Sequence, residues 1–227
     1  MLQVETLARQ PLFTRLMPAD IAELDRQCRW RKVVGGNWLF DFGHGGTDVY
    51  FILQGRLRVM LSSAGREVIL RDLGDGDFFG ELAAIDERPR SAGILAMTDA
   101  IVGQLTAVQF RVAVHRHPSV CDGVLRRLSG EIRKLANQVD EFSNLTVALR
   151  LRAELLRLAR PKGADGMVRI ISPPPTHAEL AARIATHREG VAREMKALER
   201  AGLLERRRGA LALLDPAALE SAIAQDS

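Results

Sequence analysis

The sequence holds only two cysteines, Cys28 and Cys121, far apart and in no Cys-x-x-Cys arrangement. Neither a thiolate metal site nor a disulfide framework is indicated, and a reducing cytoplasm is the expected location. No stretch approaches the ~18 uninterrupted apolar residues of a membrane-spanning helix. The start, Met1-Leu2-Gln3-Val4-Glu5, has no basic region followed by an apolar run, so neither a secretion signal nor a membrane span is expected. Histidine is scarce where an enzyme on a cupin-like barrel would need it. The β-rich part holds only His44, which makes no ligand cluster with carboxylates. His115, His117 and Cys121 have a loosely metal-like spacing, but His-x-His at a helix end before a proline reads more simply as capping and packing. No metal, catalytic set or enzymatic activity is expected. Charge excess is also small, at +4. Residues 1–120 balance, 121–160 hold eight Lys/Arg against five acids, and 161–227 hold ten against nine, a weak pointer to a polyanionic partner.

What is present begins with length and apolar content. At 227 residues and 47% hydrophobic, the chain can fill two modest cores. Between them lies a helix read from about Asp122 to Arg160, with a heptad seam in which Leu125, Ile132, Val139 and Thr146 take the a positions. Leu128, Leu135, Phe142 and Leu149 take the d positions. Mostly β-branched residues at a with mostly Leu at d favour two parallel strands, so a homodimer zipped along this helix is expected. A long core helix packed within its own domain is the alternative. Gly130, on the outer face, weakens the helix by about 1 kcal/mol.

Ahead of the seam, residues near 3–27 read as short helices interrupted at Pro11 and Pro18, a lid or packing arm. From Trp30 to about Leu105 come strand-length runs, Val49 to Leu53, Leu57 to Leu61 and Val68 to Leu70, separated by glycines. That texture predicts a closed or rolled antiparallel structure. Residues 107–116 return to helix, and Pro118 restarts the chain. Beyond Pro161, a loop at 162–166 and a stiff Ser172-Pro173-Pro174-Pro175 segment open a small separate domain of two short helices and a Gly-centred hairpin.

Two stretches carry chemistry. In Gly80-Glu81-Leu82-Ala83 and Pro89-Arg90-Ser91-Ala92, a glycine opening a helical turn exposes N–H groups. Arg90 offers a planar fork for phosphate, Ser91 a hydroxyl, and Glu81 an acceptor for a sugar hydroxyl. Composition alone leaves open a plain β-corner glycine with a surface Glu–Arg pair. The second stretch starts at Thr176, where Glu179 completes a capping box. Leu180 and Ile184 face inward, the chain breaks near Thr186, and a helix from His187 buries Val191, Met195 and Leu198 while exposing Arg188, Glu189, Arg193 and Lys196. This is a helix-turn-helix pattern, whose second helix enters a major groove; a small helical hairpin with a charged face is the alternative. A hairpin about Arg208-Gly209 places Arg207 and Arg208 to meet phosphate.

Over essentially its whole length the sequence resembles the CRP/FNR family of bacterial transcription regulators. The carriers are the Gly80-Glu81-Leu82-Ala83 and Pro89-Arg90-Ser91-Ala92 cassette, the segments from Gly36 to Gly43 and Tyr50 to Gly55, and Arg188-Glu189-Gly190-Val191-Ala192-Arg193. The resemblance implies an α+β chain with an antiparallel, jelly-roll-like β-roll sensor domain (1–120), a long coiled-coil dimerisation helix (121–160) and a C-terminal winged helix-turn-helix (161–227). It implies a cyclic nucleotide effector, cAMP or cGMP, with no tightly bound cofactor. Arg90, Ser91 and the amides near Glu81 and Leu82 would hold the cyclic phosphate, and Glu81 the ribose 2′-hydroxyl. It implies double-stranded DNA with palindromic TGTGA-like half-sites as partner, read by Arg188, Glu189 and Arg193 and supported by Thr176, with RNA polymerase as a further expected partner. One departure is clear: Leu135-Ala136 stand where cAMP-responsive members often carry a hydroxyl pair against the purine. A regulator of this type that binds DNA without a nucleotide, or with another effector, therefore remains the alternative reading.

Overall fold

The computed structural model describes residues 5–63, 66–162 and 167–225. The chain's first four residues and positions 163–166 of the expected loop lie outside the described residues. Two compact units divide the chain, residues 1–131 and 132–227.

In the first unit, turns of 3-10 helix at Leu7–Arg9 and Pro11–Phe13 lead into α1 (Pro18–Gln27). Pro11 and Pro18 each occupy a first helical position, where a missing N–H costs nothing. This segment is a packing arm. Leu7 and Phe13 are fully buried, and Gln10 Nε2 donates to the Ile52 carbonyl at 2.8 Å.

The strands are β1 (Arg29–Val33), β2 (Trp38–Phe40), β3 (Val49–Gln54), β4 (Leu57–Ser63), β5 (Arg66–Leu73), β6 (Phe78–Phe79), β7 (Gly93–Ala96) and β8 (Ala100–Leu105). Helix α2 (Glu81–Asp86) falls between β6 and β7, and α3 (Ala107–Arg116) follows β8. Every pairing among the described residues of this unit is antiparallel, in two four-stranded sheets of order β1-β8-β3-β6 and β2-β7-β4-β5. The continuous apolar run of β3 has a clear cause, because both faces of that strand are covered. Val49 and Phe51 pack with Phe13, Phe78 and Phe110, whereas Tyr50 and Ile52 pack with Phe79, Ile94 and Val102. After β3 the chain reverses at Gly55, at φ +106, where an added Cβ would lie 2.5 Å from the Asp99 carbonyl oxygen. Only glycine meets both demands.

Helix α4 runs over Pro118–Asn144, which corrects the expectation of one helix reaching Arg160. Thr146 is not a seam residue but the N-cap of a new helix, α5 (Val147–Leu158), accepting from the Leu149 amide at 3.4 Å. Leu149 is buried at 3% exposure, so the last heptad pair leaves the seam. Of the earlier seam positions, Leu125, Ile132, Leu135 and Val139 form an apolar stripe on α4, 55%, 67%, 49% and 64% exposed, whereas Leu128 packs against the core of the first unit and Phe142 lies beneath the Arg150 guanidinium.

In the second unit, α5 is followed by β9 (Arg160–Lys162), β10 (Val168–Ile171), α6 (His177–Arg183), α7 (Arg188–Arg200), β11 (Leu204–Arg207), β12 (Ala210–Leu213) and α8 (Pro216–Gln225). The sheet order is β11-β12-β10-β9. Its core joins Leu151 and Leu155 of α5 to Leu180, Ile184, Val191, Met195, Leu211 and Leu219. Sheet and α8 alike go beyond the sequence reading, although Asp215-Pro216 is a helix-start signal, with Asp215 accepting from the Ala218 amide at 2.9 Å.

Candidate effector cavity and nucleic-acid interface

The turn from β6 into α2 depends on Gly80, which sits at φ +88. A Cβ there would lie 2.5 Å from Arg90 Nη1 and 2.7 Å from the Asp48 carbonyl oxygen, so neither the conformation nor the space admits a larger residue. Arg90 crosses behind this turn. Its Nη1 donates to the Gly80 carbonyl at 3.0 Å and its Nη2 to the Asp48 carbonyl at 2.7 Å. The guanidinium packs 4.3 Å from the Phe40 ring centroid, a favourable cation–π arrangement. Arg90 is only 3% exposed, and its buried Nε–H has no hydrogen-bond partner among the described residues. Burial works against its charge and lowers its pKa, opposed by Tyr50, Asp48 and Glu81.

Beside Arg90 opens a cavity whose empty space, open mouth included, is about 400 Å³. Gly80, Glu81, Leu82, Arg90 and Ser91 all line it, so the structure brings these expected residues together; Phe40, Phe79 and Arg71 also line it. Leu82 and Ser91 are exposed at the rim. No motif marks Arg71 or Phe40. The one hint of Arg71 is an arginine closing the apolar run of β5. Leu135 and Ala136 are exposed residues of α4 in the second unit.

Glu81 is buried at 5% exposure. Burial raises its pKa above the ordinary 4.5; its own backbone N–H, Arg71 and Arg127 pull it back, and Glu131 pushes it further up. The folded state thus holds this proton more tightly than the unfolded chain. The stability it contributes is fully present below about pH 4.5 and is lost as pH rises through the folded value. Replacing the carboxyl by the neutral isostere, Glu81→Gln, removes that loss. Urea unfolding followed from about pH 4 to 8 is expected to show wild type losing ground to the variant as pH rises; a difference without slope contradicts this account.

A charged cluster adjoins the cavity. Arg127 of α4 donates to Asp77 at 2.9 Å and lies 3.7 Å from Glu131, which also pairs with Arg71.

In the second unit the capping box is present: the Glu179 amide donates to Thr176 Oγ1 at 3.1 Å, and the Thr176 amide to the Glu179 carboxylate at 2.8 Å. The helix turn runs through Ile184, Ala185 at φ +50 and Thr186, and His187 holds the N-cap position of α7 without a side-chain bond to it. With Val191, Met195 and Leu198 buried, Arg188, Glu189 and Arg193 are left exposed. The Arg150 guanidinium braces the turn by donating to the Ile184 carbonyl at 3.0 Å. β11 and β12 form the expected hairpin about Arg208-Gly209, with Arg208 exposed and Arg207 paired to Glu205 at 2.6 Å. Arg206 pairs with Glu199 at 2.6 Å and lies 3.0 Å from His177 Nε2. That nitrogen accepts only in the neutral ring. Burial, then Arg206 and Arg188, lower the pKa of His177 accordingly.

Two family models match the chain, a cyclic nucleotide-binding domain over residues 30–117 and a Crp-like helix-turn-helix domain over 149–222. The cAMP-activated global transcriptional regulator CRP of Haemophilus influenzae is 30% identical over 185 residues, 78% of this chain and 80% of that protein. A CRP-like cAMP-activated global transcriptional regulator of Mycobacterium tuberculosis is 28% identical over 189 residues, 82% and 84% of the two chains. Among solved structures, a CooA variant from Carboxydothermus hydrogenoformans shares the fold at TM-score 0.79 and 19% identity, over 96% of this chain and 98% of that one. The c-di-GMP responsive global regulator CLP of Xanthomonas campestris does so at TM-score 0.73 and 20% identity, over 87% and 99%. With a nucleotide-binding roll ahead of a Crp-like reader, the chain belongs to the CRP/FNR family of transcription regulators.

Proposed function

We propose that this regulator is a cytoplasmic homodimer, not an enzyme, gated by a cyclic nucleotide held in the cavity beside Arg90. It reads palindromic DNA of TGTGA-like half-sites and acts on RNA polymerase. The observation that carries the effector reading is Arg90, a buried guanidinium at the wall of this cavity whose Nε–H lacks a partner among the described residues. A buried donor left unmade is costly, and a cyclic phosphate supplies the missing acceptor. Ser91 and the turn at Gly80, Glu81 and Leu82 add donors around the same anion, and Glu81 accepts from the ribose. Leu135 and Ala136 stand where the resemblance implies a hydroxyl pair against the base, and neither carries a hydroxyl.

The dimer reading rests on the exposed stripe of α4. Such a row of large apolar residues at heptad spacing marks a helix partner. In each half, Arg188 and Arg193 fork guanine O6 and N7, Glu189 accepts from cytosine N4, and Thr176, Arg207 and Arg208 meet phosphates. Effector binding resets the separation of the two reading helices, which must sit about one DNA turn apart to use both half-sites. The division into a sensor (1–120), a dimerisation segment (121–160) and a reader (161–227) follows the same logic. Leu135-Ala136 favour a second reading, a regulator that binds DNA with another effector or with none.

Calorimetric titration of nucleotide-stripped protein with cAMP, cGMP and cyclic di-GMP tests the effector reading. Arg90→Ala removes two or more charge-assisted bonds and is expected to weaken binding by about 3 kcal/mol or more, over 100-fold. Arg90→Lys, which keeps the charge and loses the fork, is expected to lose most of that too. Unchanged heats in both variants would remove the cavity from the account.

A further inference from the structure

The cavity holds two arginines, Arg90 and Arg71. Arg90 is fixed to the carbonyls of Gly80 and Asp48. Arg71 belongs to a different wall, β5, where its strand partner Val59 also lines the cavity. Its side chain keeps 22% exposure although it pairs with Glu131, and a guanidinium has five donors, so donors remain for a ligand. With the phosphate at Arg90 and a sugar hydroxyl at Glu81, the part of a cyclic nucleotide left to meet Arg71 is its base. A guanidinium only donates. Guanine presents two adjacent acceptors, O6 and N7, which match the fork. Adenine presents N7 beside an amino donor, which Arg71 can only oppose.

We propose that Arg71 is the base-selecting residue of this cavity and that the effector carries guanine. This inference rests on the cyclic-nucleotide reading above and narrows it. The shared chemistry is a guanine edge on a cyclic phosphate, and cGMP and cyclic di-GMP are its two sources.

The test is calorimetry on the full-length protein with cAMP, cGMP and cyclic di-GMP, for wild type and for Arg71→Gln. A glutamine amide both donates and accepts, which suits adenine N6 and N7. Wild type is expected to bind at least one guanine nucleotide roughly 10- to 100-fold more tightly than cAMP. The variant is expected to lose that preference or reverse it, which a merely structural arginine would not do. Whichever of cGMP and cyclic di-GMP binds more tightly identifies the source. A wild type that binds cAMP as tightly as both guanine nucleotides overturns the inference and leaves the cyclic-nucleotide reading standing. So does a preference unchanged in Arg71→Gln. A wild type that binds none of the three overturns both. The wild-type ratio needs no variant, so failure of the Arg71→Gln chain to fold does not remove the test.

Discussion

A carboxylate pair set into the α4 stripe, Ile132→Asp with Leu135→Asp, is expected to split the dimer and lower affinity for a palindromic operator by roughly 100- to 10,000-fold. Four stripe residues on each chain are about half exposed or more. Burying such side chains against a second copy is worth about 1.5–3 kcal/mol each when complete. The two substitutions remove two of those contacts per chain and bring four carboxylates into one seam. A split dimer must then find each half-site separately, losing the effective concentration that one half-site gives the other, typically a factor of about 100 to 10,000. Light scattering reads the mass, and fluorescence anisotropy on a palindromic duplex reads the affinity. Dimer mass and unchanged affinity in the double variant would show that the stripe is not the seam.

The second large effect is expected at Arg193, whose side chain is 73% exposed and, among the described residues, paired only with its neighbour Glu194, at 3.2 Å. A side chain this free folds into a base contact at little cost in lost partners. One bidentate arginine–guanine pair is worth about 1–3 kcal/mol of discrimination. Arg193→Ala therefore costs a symmetric site about 2–6 kcal/mol, two half-sites being well separated and additive. The loss is expected on the specific duplex and scarcely on a scrambled one at the same salt, since phosphate contacts are insensitive to sequence. Equal losses on both duplexes would make Arg193 a phosphate contact only.

How far each of these features could be read from sequence follows from how local its cause is. The capping box of Thr176 and Glu179 is local, and so are the glycine turns at Gly55 and Gly80 and the apolar run of β3; all are legible. The cassette of Gly80, Glu81, Arg90 and Ser91 is legible as a group because the family resemblance joins its two halves. Arg90's dependence on the Asp48 carbonyl is not, since Asp48 belongs to a distant loop. The break after Asn144 was hidden because Thr146 and Leu149 continue the heptad spacing in phase. Thr146 has no acidic residue three positions on to mark it as a cap. Arg71 is illegible for the opposite reason: closing the apolar run of its strand is its single local mark, and the sheet pairing with Val59 is what brings it to the cavity. The sheet of the second unit ends at Arg160–Lys162, an edge strand of three exposed residues containing a proline, which carries no strand pattern.

Operator binding by nucleotide-stripped wild-type protein, measured at one salt concentration with and without saturating cyclic nucleotide, tests most directly whether the roll controls the reader. Coupling between two such sites is ordinarily worth about 1–3 kcal/mol, so a gain of roughly 5- to 150-fold on adding the effector is expected. Arg90→Ala is expected to show no gain. Full affinity in the stripped protein, unmoved by cAMP, cGMP or cyclic di-GMP, would contradict the account.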